Sequence, residues 1–479
     1  MFEKKFILVL QITFLIIFPY AYAQSELDHQ EIEVTLDGNI ELDFQTTQSR
    51  VDYFTADLRI FPKDTYREDI LEFKLKHKPG ASVVMKNNIE YTWDDDSKIA
   101  SFGYDAKVKT WNKIFQIHSD VPISSMVLMK EHIKYVDETE LVDINNEIRG
   151  KAFEIAGDST TLYDTVFRLA EWVRTNVKYD LNTLTEEATQ KSSWVLENRF
   201  GVCDEITNLF ISFLRSRNIP VRYVVGIAYS DAVPEGWAPH AWAEVYFQGY
   251  GWIPFDVTFG QYGWVDTGHV KLSDSVDARE PSVEYTWRAV KVGLKEKDLK
   301  LNTTILKKGD EIFPLVDIKL NPLWNEVKGG SFVPVEVAVK NLQNYHLSTL
   351  IFVSNAPGLL GDSTKAILLK PHEEKKLNWI LTVPELNGDF IYKSDIEVKD
   401  SFGGTERKEI FIGDKFPIYS IDEAQKALNE GLNTTSYKLP EEEFITDISS
   451  SDVKSDGNKN ANSKIGIFES LLIFLGNLF

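Results

Sequence analysis

Three residues between positions 192 and 260 have the types and the chain order of a thiol-based catalytic triad. Cys203 is the single cysteine of the 479-residue chain, and it is followed by His240 and then by Asp256. A cysteine thiolate is a nucleophile, a histidine can take up and return its proton, and an aspartate can orient the histidine. A lone cysteine is more often a small buried hydrophobe. The combination, rather than any one residue, therefore predicts nucleophilic catalysis.

A buried helix is predicted to begin at Cys203. Apolar residues recur after it at helical spacing, until Asn218-Ile219-Pro220 interrupts the pattern. The partial positive charge at the start of a helix favours a thiolate over a thiol. Gly201 would let the chain turn sharply into this helix, because it has no side chain to clash.

The helix is followed by three predicted strands, of which the last two form a hairpin. His240 stands at the head of the second strand, and Asp256 lies near the end of the third. Because hairpin strands are neighbours in a sheet, we expect these two side chains to lie close together, with the Cys203 helix packed over their sheet. The predicted strands cover 221–226, 241–247 and 252–257, and the hairpin turn covers 248–251.

This segment resembles the core of the transglutaminase-like superfamily. The resemblance rests on Gly201-Val202-Cys203 at a helix start, His240-Ala241-Trp242 opening a strand, and Asp256-Val257-Thr258 ending another. It covers roughly residues 140–290 and implies a papain-like α+β core, in which a helix packs on an antiparallel sheet. It also implies that Cys203 is the nucleophile, that His240 is the general base and acid, and that Asp256 orients His240. Val257 replaces a proline that many members have, which concerns loop rigidity rather than chemistry.

Two tryptophans are candidate substrate-binding residues beside the triad. Trp194 lies in a short predicted helix over 193–198 and is the one candidate for a side-chain oxyanion donor upstream of the cysteine. Trp237 lies in the loop 231–239, whose two prolines predict a semi-rigid wall of the cleft. Simple packing in the core is the alternative for each tryptophan.

The regions on either side of the core are predicted to be β domains. From 31 to 123, short β-like runs alternate with turn signals such as Asp37-Gly38, which is typical of an antiparallel sandwich or barrel. A polar connector is predicted at 295–308. From 315 to 412, the strand spacing suits an immunoglobulin-like sandwich of about seven strands.

The predicted fold class is therefore α+β, with a transglutaminase-like core flanked by N-terminal and C-terminal β-sandwich domains. Within the core, residues 142–178 are predicted to be helical, with Ser159 or Thr160 as a cap. The predicted boundaries are 1–23 for a signal peptide, 24–135 for the N-terminal β domain, 136–290 for the catalytic domain, 300–413 for the immunoglobulin-like sandwich, 414–464 for an acidic and polar linker, and 465–479 for a C-terminal hydrophobic segment.

Both ends of the chain carry patterns of targeting or anchoring segments. Lys4 and Lys5 precede an apolar run from Phe6 to Phe18, and Ala21-Tyr22-Ala23 offers a cleavage site, so an export signal is predicted. An uncleaved anchor is the alternative. The segment 465–479 would reach only about 22 Å as a helix, short of the ~30 Å hydrocarbon core. We expect an extracytoplasmic protein, secreted or at the cell surface, with 465–479 as a candidate membrane anchor.

Composition and spacing exclude several classes of function. The formal net charge of −21 argues against nucleic-acid binding, which requires a basic surface. The eight histidines include no pair with the spacing of metal ligands, so neither a metal site nor a cofactor is predicted. The predicted partner is a protein or peptide substrate.

The sequence as a whole predicts an exported cysteine-dependent enzyme that transfers acyl groups from amide bonds. The backbone N–H of Cys203 is a predicted oxyanion donor. The same triad serves hydrolysis and glutamine–lysine cross-linking; because family members outside animals more often resemble hydrolases, a protease or amidase is favoured. The alternative is a non-catalytic surface scaffold or adhesion protein with a transglutaminase-like core.

Overall fold

The computed structural model describes residues 25–77, 80–94, 99–180, 189–386 and 390–430. The predicted signal peptide, most of the predicted linker and the C-terminal hydrophobic segment lie outside these described residues. Within them, every helix is too short or too polar to cross a membrane.

The described residues form many strands and few helices. The helices are α1 (Asn146–Ala156), α2 (Leu162–Asn176), α3 (Ser192–Asn198), α4 (Cys203–Arg215) and α5 (Ile421–Glu430), with short 3₁₀ helices at Ile123–Ser125 and Lys130–Tyr135. The strands are β1 (His29–Phe44), β2 (Arg50–Leu58), β3 (Glu68–His77), β4 (Ser82–Met85), β5 (Ile89–Trp93), β6 (Ile99–Trp111), β7 (Lys178–Tyr179), β8 (Phe200–Gly201), β9 (Val221–Tyr229), β10 (Trp237–Phe247), β11 (Gly251–Asp256), β12 (Gln261–Tyr262), β13 (His269–Ser275), β14 (Val283–Val290), β15 (Val292–Lys308), β16 (Val316–Pro322), β17 (Glu326–Val327), β18 (Phe332–Asn341), β19 (Leu347–Asn355), β20 (Leu359–Leu360), β21 (Thr364–Leu369), β22 (Glu374–Thr382), β23 (Ile391–Asp400) and β24 (Thr405–Gly413).

Two four-stranded antiparallel sheets share one core in the N-terminal region, with strand orders β15-β1-β6-β3 and β14-β2-β5-β4. Strands β14 and β15 return from residues 283–308 to pair with β2 and β1. The polar connector predicted at 295–308 is therefore wrong. Its alternation of polar and apolar residues belongs to a strand, and Leu299 on its inner side is buried in the shared core.

The turn predicted at Asp37-Gly38 is wrong, because both residues lie inside the continuous strand β1. Gly38 pairs with Phe102 of β6 across the sheet. A Cβ atom on Gly38 would lie 2.4 Å from the Phe102 ring. The glycine is thus required by the close approach of an aromatic ring rather than by a change of chain direction.

The central sheet carries the predicted site residues. It has five antiparallel strands in the order β12-β11-β10-β9-β13. Helix α4 packs on β10 and β9, and α1, α2 and α3 surround α4. Ala241, Ala243 and Val245 face this helical layer, in one buried core. Since side chains alternate along a strand, His240 and Trp242 point to the other face of β10.

The helical region predicted at 142–178 is divided into α1 and α2. The caps predicted for it, Ser159 and Thr160, are wrong. The carboxylate of Asp120 accepts hydrogen bonds from two backbone N–H groups in the first turn of α2, at 2.8 and 3.3 Å. A capping group that comes from so far along the chain leaves no signal in the local sequence.

Two more sheets share a core in the C-terminal region, with strand orders β16-β18-β22-β20 and β17-β24-β23-β19-β21. Strands β17 and β24 pair in parallel, and the other pairs are antiparallel. Helix α5 packs on β18 and β22. Trp264 joins this core from the central region, and its indole N–H donates to the Ser348 carbonyl at 3.0 Å.

Candidate active site

Cys203 is the first residue of α4, where the sequence predicts the helix to begin. The side chain of Glu205 fixes this entry, because its carboxylate accepts hydrogen bonds from the backbone N–H groups of Val202 and Gln190, each at 3.1 Å. A Cβ atom on Gly201 would lie 2.6 Å from the Glu205 Cβ, so glycine is required before the turn. The Cys203 side chain is half-buried and its thiol forms no disulfide.

His240 and Asp256 lie on the neighbouring strands β10 and β11. The His240 Nε2 atom lies 2.7 Å from Asp256 Oδ2, and the other oxygen of Asp256 accepts a hydrogen bond from the Phe259 N–H at 2.9 Å. Asp256 is completely buried. Burial opposes its charged form, but its contacts with His240 and His269 hold the pKa of Asp256 well below the usual range. Asp256 is therefore a fixed, charged partner for His240.

The Cys203 thiol lies against the same strand. The backbone N–H of Ala241, which directly follows His240, lies near enough to the Cys203 sulfur to lower the pKa of the thiol. One turn further along α4, the Thr207 hydroxyl donates to the Ala241 carbonyl at 3.3 Å. These contacts fix the first turn of α4 against β10 at the position of His240. Since Nε2 of His240 lies at hydrogen-bonding distance from Asp256 Oδ2, Nδ1 is the ring nitrogen available for proton transfer.

His269, the first residue of β13, is the principal site residue that the sequence analysis missed. Its Nε2 atom lies 3.0 Å from Asp256 Oδ2, and its Nδ1 atom lies 3.0 Å from Asp266 Oδ1. The residue is completely buried. Burial lowers the pKa of His269, but the carboxylates of Asp266 and Asp256 raise it to about 9. The one signal in the sequence is a second histidine soon after Asp256.

The donor atoms of His240, Asp256 and His269 lie within 4.8 Å of one another, which is close enough to hold a metal ion. Spacing along the chain does not reveal this group. Both Nε2 atoms already lie at hydrogen-bonding distance from Asp256 Oδ2. The three side chains therefore satisfy one another, and we interpret the group as a hydrogen-bonded cluster of charges.

A family model described as the transglutaminase-like superfamily matches residues 149–257, which include Cys203, His240 and Asp256. This segment is a transglutaminase-like core. The described residues as a whole are rich in strands, with few helices and mainly antiparallel sheets.

The chain is also similar to individual proteins. It is 25% identical over 146 residues to the uncharacterized protein YebA of Bacillus subtilis (strain 168), over 27% of this chain and 19% of that protein. The match thus spans about a fifth of the length of that relative. A structure described as a "Putative Cysteine Protease" from Cytophaga hutchinsonii has 19% identity and a TM-score of 0.43, covering 60% of this chain and 95% of that chain. Red sea bream transglutaminase has 10% identity and a TM-score of 0.23, covering 76% and 78%.

The electrostatic surroundings of the thiol in the transglutaminase-like core differ from the sequence-based expectation. Burial raises the pKa of Cys203 well above its usual value, and the carboxylates of Asp204 and Glu205 raise it further, whereas the Ala241 N–H lowers it. Burial and these carboxylates therefore oppose the stabilisation of the thiolate that the helix N-terminus is predicted to provide. A thiolate at this position requires a positive charge beside it, which a protonated His240 can supply.

Asp204 is a second residue that the sequence analysis did not single out. Its Oδ1 atom accepts a hydrogen bond from the Tyr223 hydroxyl at 2.7 Å and lies 3.6 Å from Cys203 Sγ. Burial raises the pKa of Asp204, while its hydrogen bonds with Tyr223 and Cys203 lower it. Asp204 thus places a carboxyl group directly beside the thiol of the transglutaminase-like core.

We expect Asp204→Asn to make Cys203 reactive at lower pH. Asparagine keeps an acceptor for the Tyr223 hydroxyl but removes the charge that raises the pKa of the thiol. The rate of alkylation by iodoacetamide is measured from pH 5 to 9. The midpoint of its rise with pH should lie about one pH unit lower than in the native protein. Asp277→Asn, which neutralises a buried carboxylate outside the site, is the matched control. An unchanged curve, or an upward displacement, would contradict the role given to Asp204.

Tyr179 lies at the edge of the site, on β7. Its backbone pairs in parallel with Gly201, two residues before Cys203. Desolvation, together with the charges of Cys203 and Asp204, raises the pKa of its phenol, although 47% of the residue surface remains exposed. Tyr179 is therefore a candidate donor to the oxyanion that forms next to the sulfur.

Tyr179→Phe is therefore expected to lower the turnover of a peptide amide by about 10²-fold, the usual loss when an oxyanion donor is removed. The alkylation rate of Cys203 should change much less, because alkylation forms no oxyanion. Tyr250→Phe removes a hydroxyl that contacts the Ser119 carbonyl at 3.2 Å, away from Cys203, and is the control. Equal turnover in all three proteins would exclude Tyr179 as a donor.

The two predicted tryptophans lie in different surroundings. Trp194 on α3 packs against Phe200, with ring centroids 5.1 Å apart. Trp237 packs against Tyr229 at 5.6 Å and is the first residue of β10, so it belongs to a strand rather than to the predicted loop. His240 accordingly lies inside β10 and not at its head. Substrate binding by either tryptophan stays a prediction.

Proposed function

We propose that this chain is a cysteine-dependent enzyme that transfers an acyl group from an amide bond of a protein or peptide. The observation that carries the proposal is the buried His240–Asp256 pair, with 2.7 Å between Nε2 and Oδ2, beside the first turn of the Cys203 helix. Burying a carboxylate is costly unless it is paired. A charged carboxylate and an imidazole next to the chain's one thiol are what activation of that thiol requires.

Proton transfer from Cys203 to His240 begins the proposed reaction. The thiolate is unfavourable on its own, since burial and nearby carboxylates raise the pKa of the thiol. The imidazolium, held by Asp256, compensates for it. The sulfur then attacks the amide carbonyl carbon, and the carbon–nitrogen bond of the tetrahedral intermediate breaks as His240 returns its proton to the leaving amine. The Cys203 backbone N–H and the Tyr179 hydroxyl are the proposed oxyanion donors.

The acyl-enzyme is a thioester on Cys203, and its acceptor decides the product. Water yields a carboxylic acid, whereas a lysine amine yields a cross-link. We favour hydrolysis by a protease or amidase, because Cys203 is only half-buried and water is the more abundant acceptor. The triad residues take the same roles in both reactions.

The proposed location is extracytoplasmic, either secreted or held at the cell surface. It is supported by the apolar run Phe6–Phe18 and by the hydrophobic segment 465–479. Digestion of intact cells by an added protease tests it: the chain should be degraded without cell lysis, and protection until lysis would contradict it.

Product analysis by mass spectrometry tests the proposed reaction. The purified protein is incubated with a defined peptide library, with and without a primary amine such as cadaverine, and Cys203→Ala is the control. We expect new peptide carboxylates and an acid-stable acyl adduct on the Cys203 peptide, both absent from the control. Amine adducts in place of carboxylates would indicate transfer rather than hydrolysis. Absence of products and of acyl adduct would contradict the proposal.

A non-catalytic scaffold is the second candidate, and one observation favours it. The raised pKa of Cys203 would keep an unpaired thiol protonated, and the His240–Asp256 pair would then only stabilise the fold. In such a protein, alkylation of native Cys203 would require pH values above the usual thiol range. It would also be unaffected by loss of His240.

A further inference from the structure

Asp256 has a second imidazole partner that the proposed mechanism does not use. His240 and His269 both place Nε2 against the same oxygen of Asp256, at 2.7 and 3.0 Å. Their ring centroids are 5.7 Å apart. His269 comes from β13, which is separated from β10 by β9. The carboxylate is thus held from two directions, by residues of two different strands.

The geometry defines the protonation of His269. A charged carboxylate can only accept hydrogen bonds. His269 faces Asp256 with Nε2 and Asp266 with Nδ1, each at 3.0 Å, so each ring nitrogen must carry a proton. The ring is then an imidazolium, completely buried between two carboxylates. Among the described residues, the charged or titratable groups that face it are Asp256, Asp266, His240 and Arg67.

The segment that carries His269 is held by the N-terminal sheets. Arg67, which is only 3% exposed, donates to the His269 carbonyl at 2.9 Å and also to the Asp266 carbonyl. The Thr110 hydroxyl donates to the Thr267 carbonyl at 2.6 Å. All three bonds go to main-chain oxygens of residues 266–269. The position of the His269 ring therefore depends on side chains outside the transglutaminase-like core.

The Asp266 side chain is fixed as well. Its Oδ1 atom accepts a hydrogen bond from the Gly268 N–H at 2.7 Å, and its Oδ2 atom accepts one from Gln261 Nε2 at 2.5 Å. A carboxylate held by this many donors cannot turn away from His269.

We propose that His269 is a positioning residue of the active site, which holds and partly neutralises Asp256 in a buried chain His240–Asp256–His269–Asp266 that Arg67 and Thr110 anchor to the N-terminal sheets. The inference deepens the proposed function, on which its catalytic meaning rests. Without His269, Asp256 loses one of its three hydrogen-bond donors among the described residues, and with it the positive charge of the imidazolium. The field at the Cys203 thiol then becomes more negative, and the thiolate forms at higher pH.

The test is the pH dependence of Cys203 alkylation by iodoacetamide in His269→Gln. Glutamine offers an amide N–H toward Asp256 but carries no charge. We expect the midpoint of the rate profile to shift to higher pH by about one unit. Alkylation at pH 6 should then be about tenfold slower than in the native protein. This readout needs no substrate, and loss of a merely structural residue would not displace it in a folded protein.

His346→Gln is the matched control. His346 is also a buried imidazole, 8% exposed, and its Nδ1 lies 2.8 Å from the Ile117 carbonyl. Its replacement should leave the alkylation curve unchanged. A folded His269→Gln protein with the native curve would overturn the inference.

A second measurement on the native protein keeps the inference testable if His269→Gln does not fold. Nitrogen-15 NMR of histidine-labelled protein distinguishes an imidazolium from both neutral tautomers. We expect both ring nitrogens of His269 to be protonated at pH 7.5. A neutral ring there would overturn the inference, as would stoichiometric zinc in the purified protein, which would make the cluster a metal site.

The outcomes separate this inference from the proposed function. If the alkylation profile of His269→Gln is shifted but the protein acts on no amide, the positioning role of His269 is supported and the proposed acyl transfer is contradicted. Acyl transfer with an undisplaced curve would remove the positioning role and leave the triad intact.

Discussion

Asp256→Asn is expected to lower the rate of acyl transfer by about 10⁴-fold, the loss that the equivalent replacement causes in serine-protease triads. Asp256 Oδ2 now accepts a hydrogen bond from His240 Nε2 at 2.7 Å. An asparagine amide can instead donate to that nitrogen, which places the ring proton on Nδ1. Nδ1 then cannot receive the proton of Cys203, and the imidazolium loses its buried counter-charge.

Turnover of the peptide substrate and alkylation of Cys203 are the two readouts for this variant, and both should fall. Asp277→Asn neutralises a buried carboxylate that lies outside the chain of charges, and it should keep native rates. Circular dichroism must show that both variants are folded. A loss of less than tenfold in a folded Asp256→Asn protein would contradict the assignment of Asp256 as the residue that orients His240.

The second large effect concerns stability, which is expected to fall between about pH 6.5 and pH 9. The pKa of His269 is raised to about 9 in the folded protein, because the carboxylates of Asp266 and Asp256 outweigh its burial; in the unfolded chain it is about 6.5. Such a group stabilises the fold fully below the unfolded pKa and loses that contribution as pH rises through the folded pKa. The loss amounts to at most about 3 kcal/mol.

Asp256 acts in the opposite pH range. Its pKa is lowered in the folded state by its two imidazole partners, against the effect of burial. It therefore contributes stability above its unfolded pKa of about 4, and this contribution is lost as the solution becomes more acidic. The central core should thus be most stable between these two limits.

Urea unfolding of the core measures this dependence, with amide hydrogen exchange in α4 as a local probe. The free energy of opening should decrease from pH 6.5 to pH 9 in the native protein. It should stay nearly constant over that range in His269→Gln, whose side chain does not titrate. Parallel curves for the two proteins would show that His269 does not carry the pH dependence.

Local patterns were sufficient to predict the centre of the site. Apolar spacing after Cys203 predicted the start of α4, and the hairpin between β10 and β11 followed from two β-like runs around glycines. Because hairpin strands must be neighbours, the pairing of His240 with Asp256 could be expected from sequence. Each of these features depends on residues that are close together along the chain.

The rest of the site depends on contacts between distant segments. Nothing near His269 indicates that it reaches Asp256, or that Arg67, 202 residues earlier, donates to its carbonyl. Tyr179 approaches Cys203 only because a two-residue strand pairs with Gly201. The polar residues of 295–308 also led to a wrong prediction. A strand with one face in solvent has as many polar residues as a connector. The structure of such segments is determined by pairing with strands that are distant in the sequence, and not by local composition.

The pH dependence of Cys203 alkylation, compared between the native protein and His240→Ala, tests the central claim most directly. Native Cys203 is expected to react well below the usual thiol pKa of about 8.5, because the proposed ion pair with His240 would stabilise the thiolate. In His240→Ala, burial and the adjacent carboxylates should keep the thiol protonated and unreactive until much higher pH. Identical curves for the two folded proteins would contradict an activated nucleophile at Cys203.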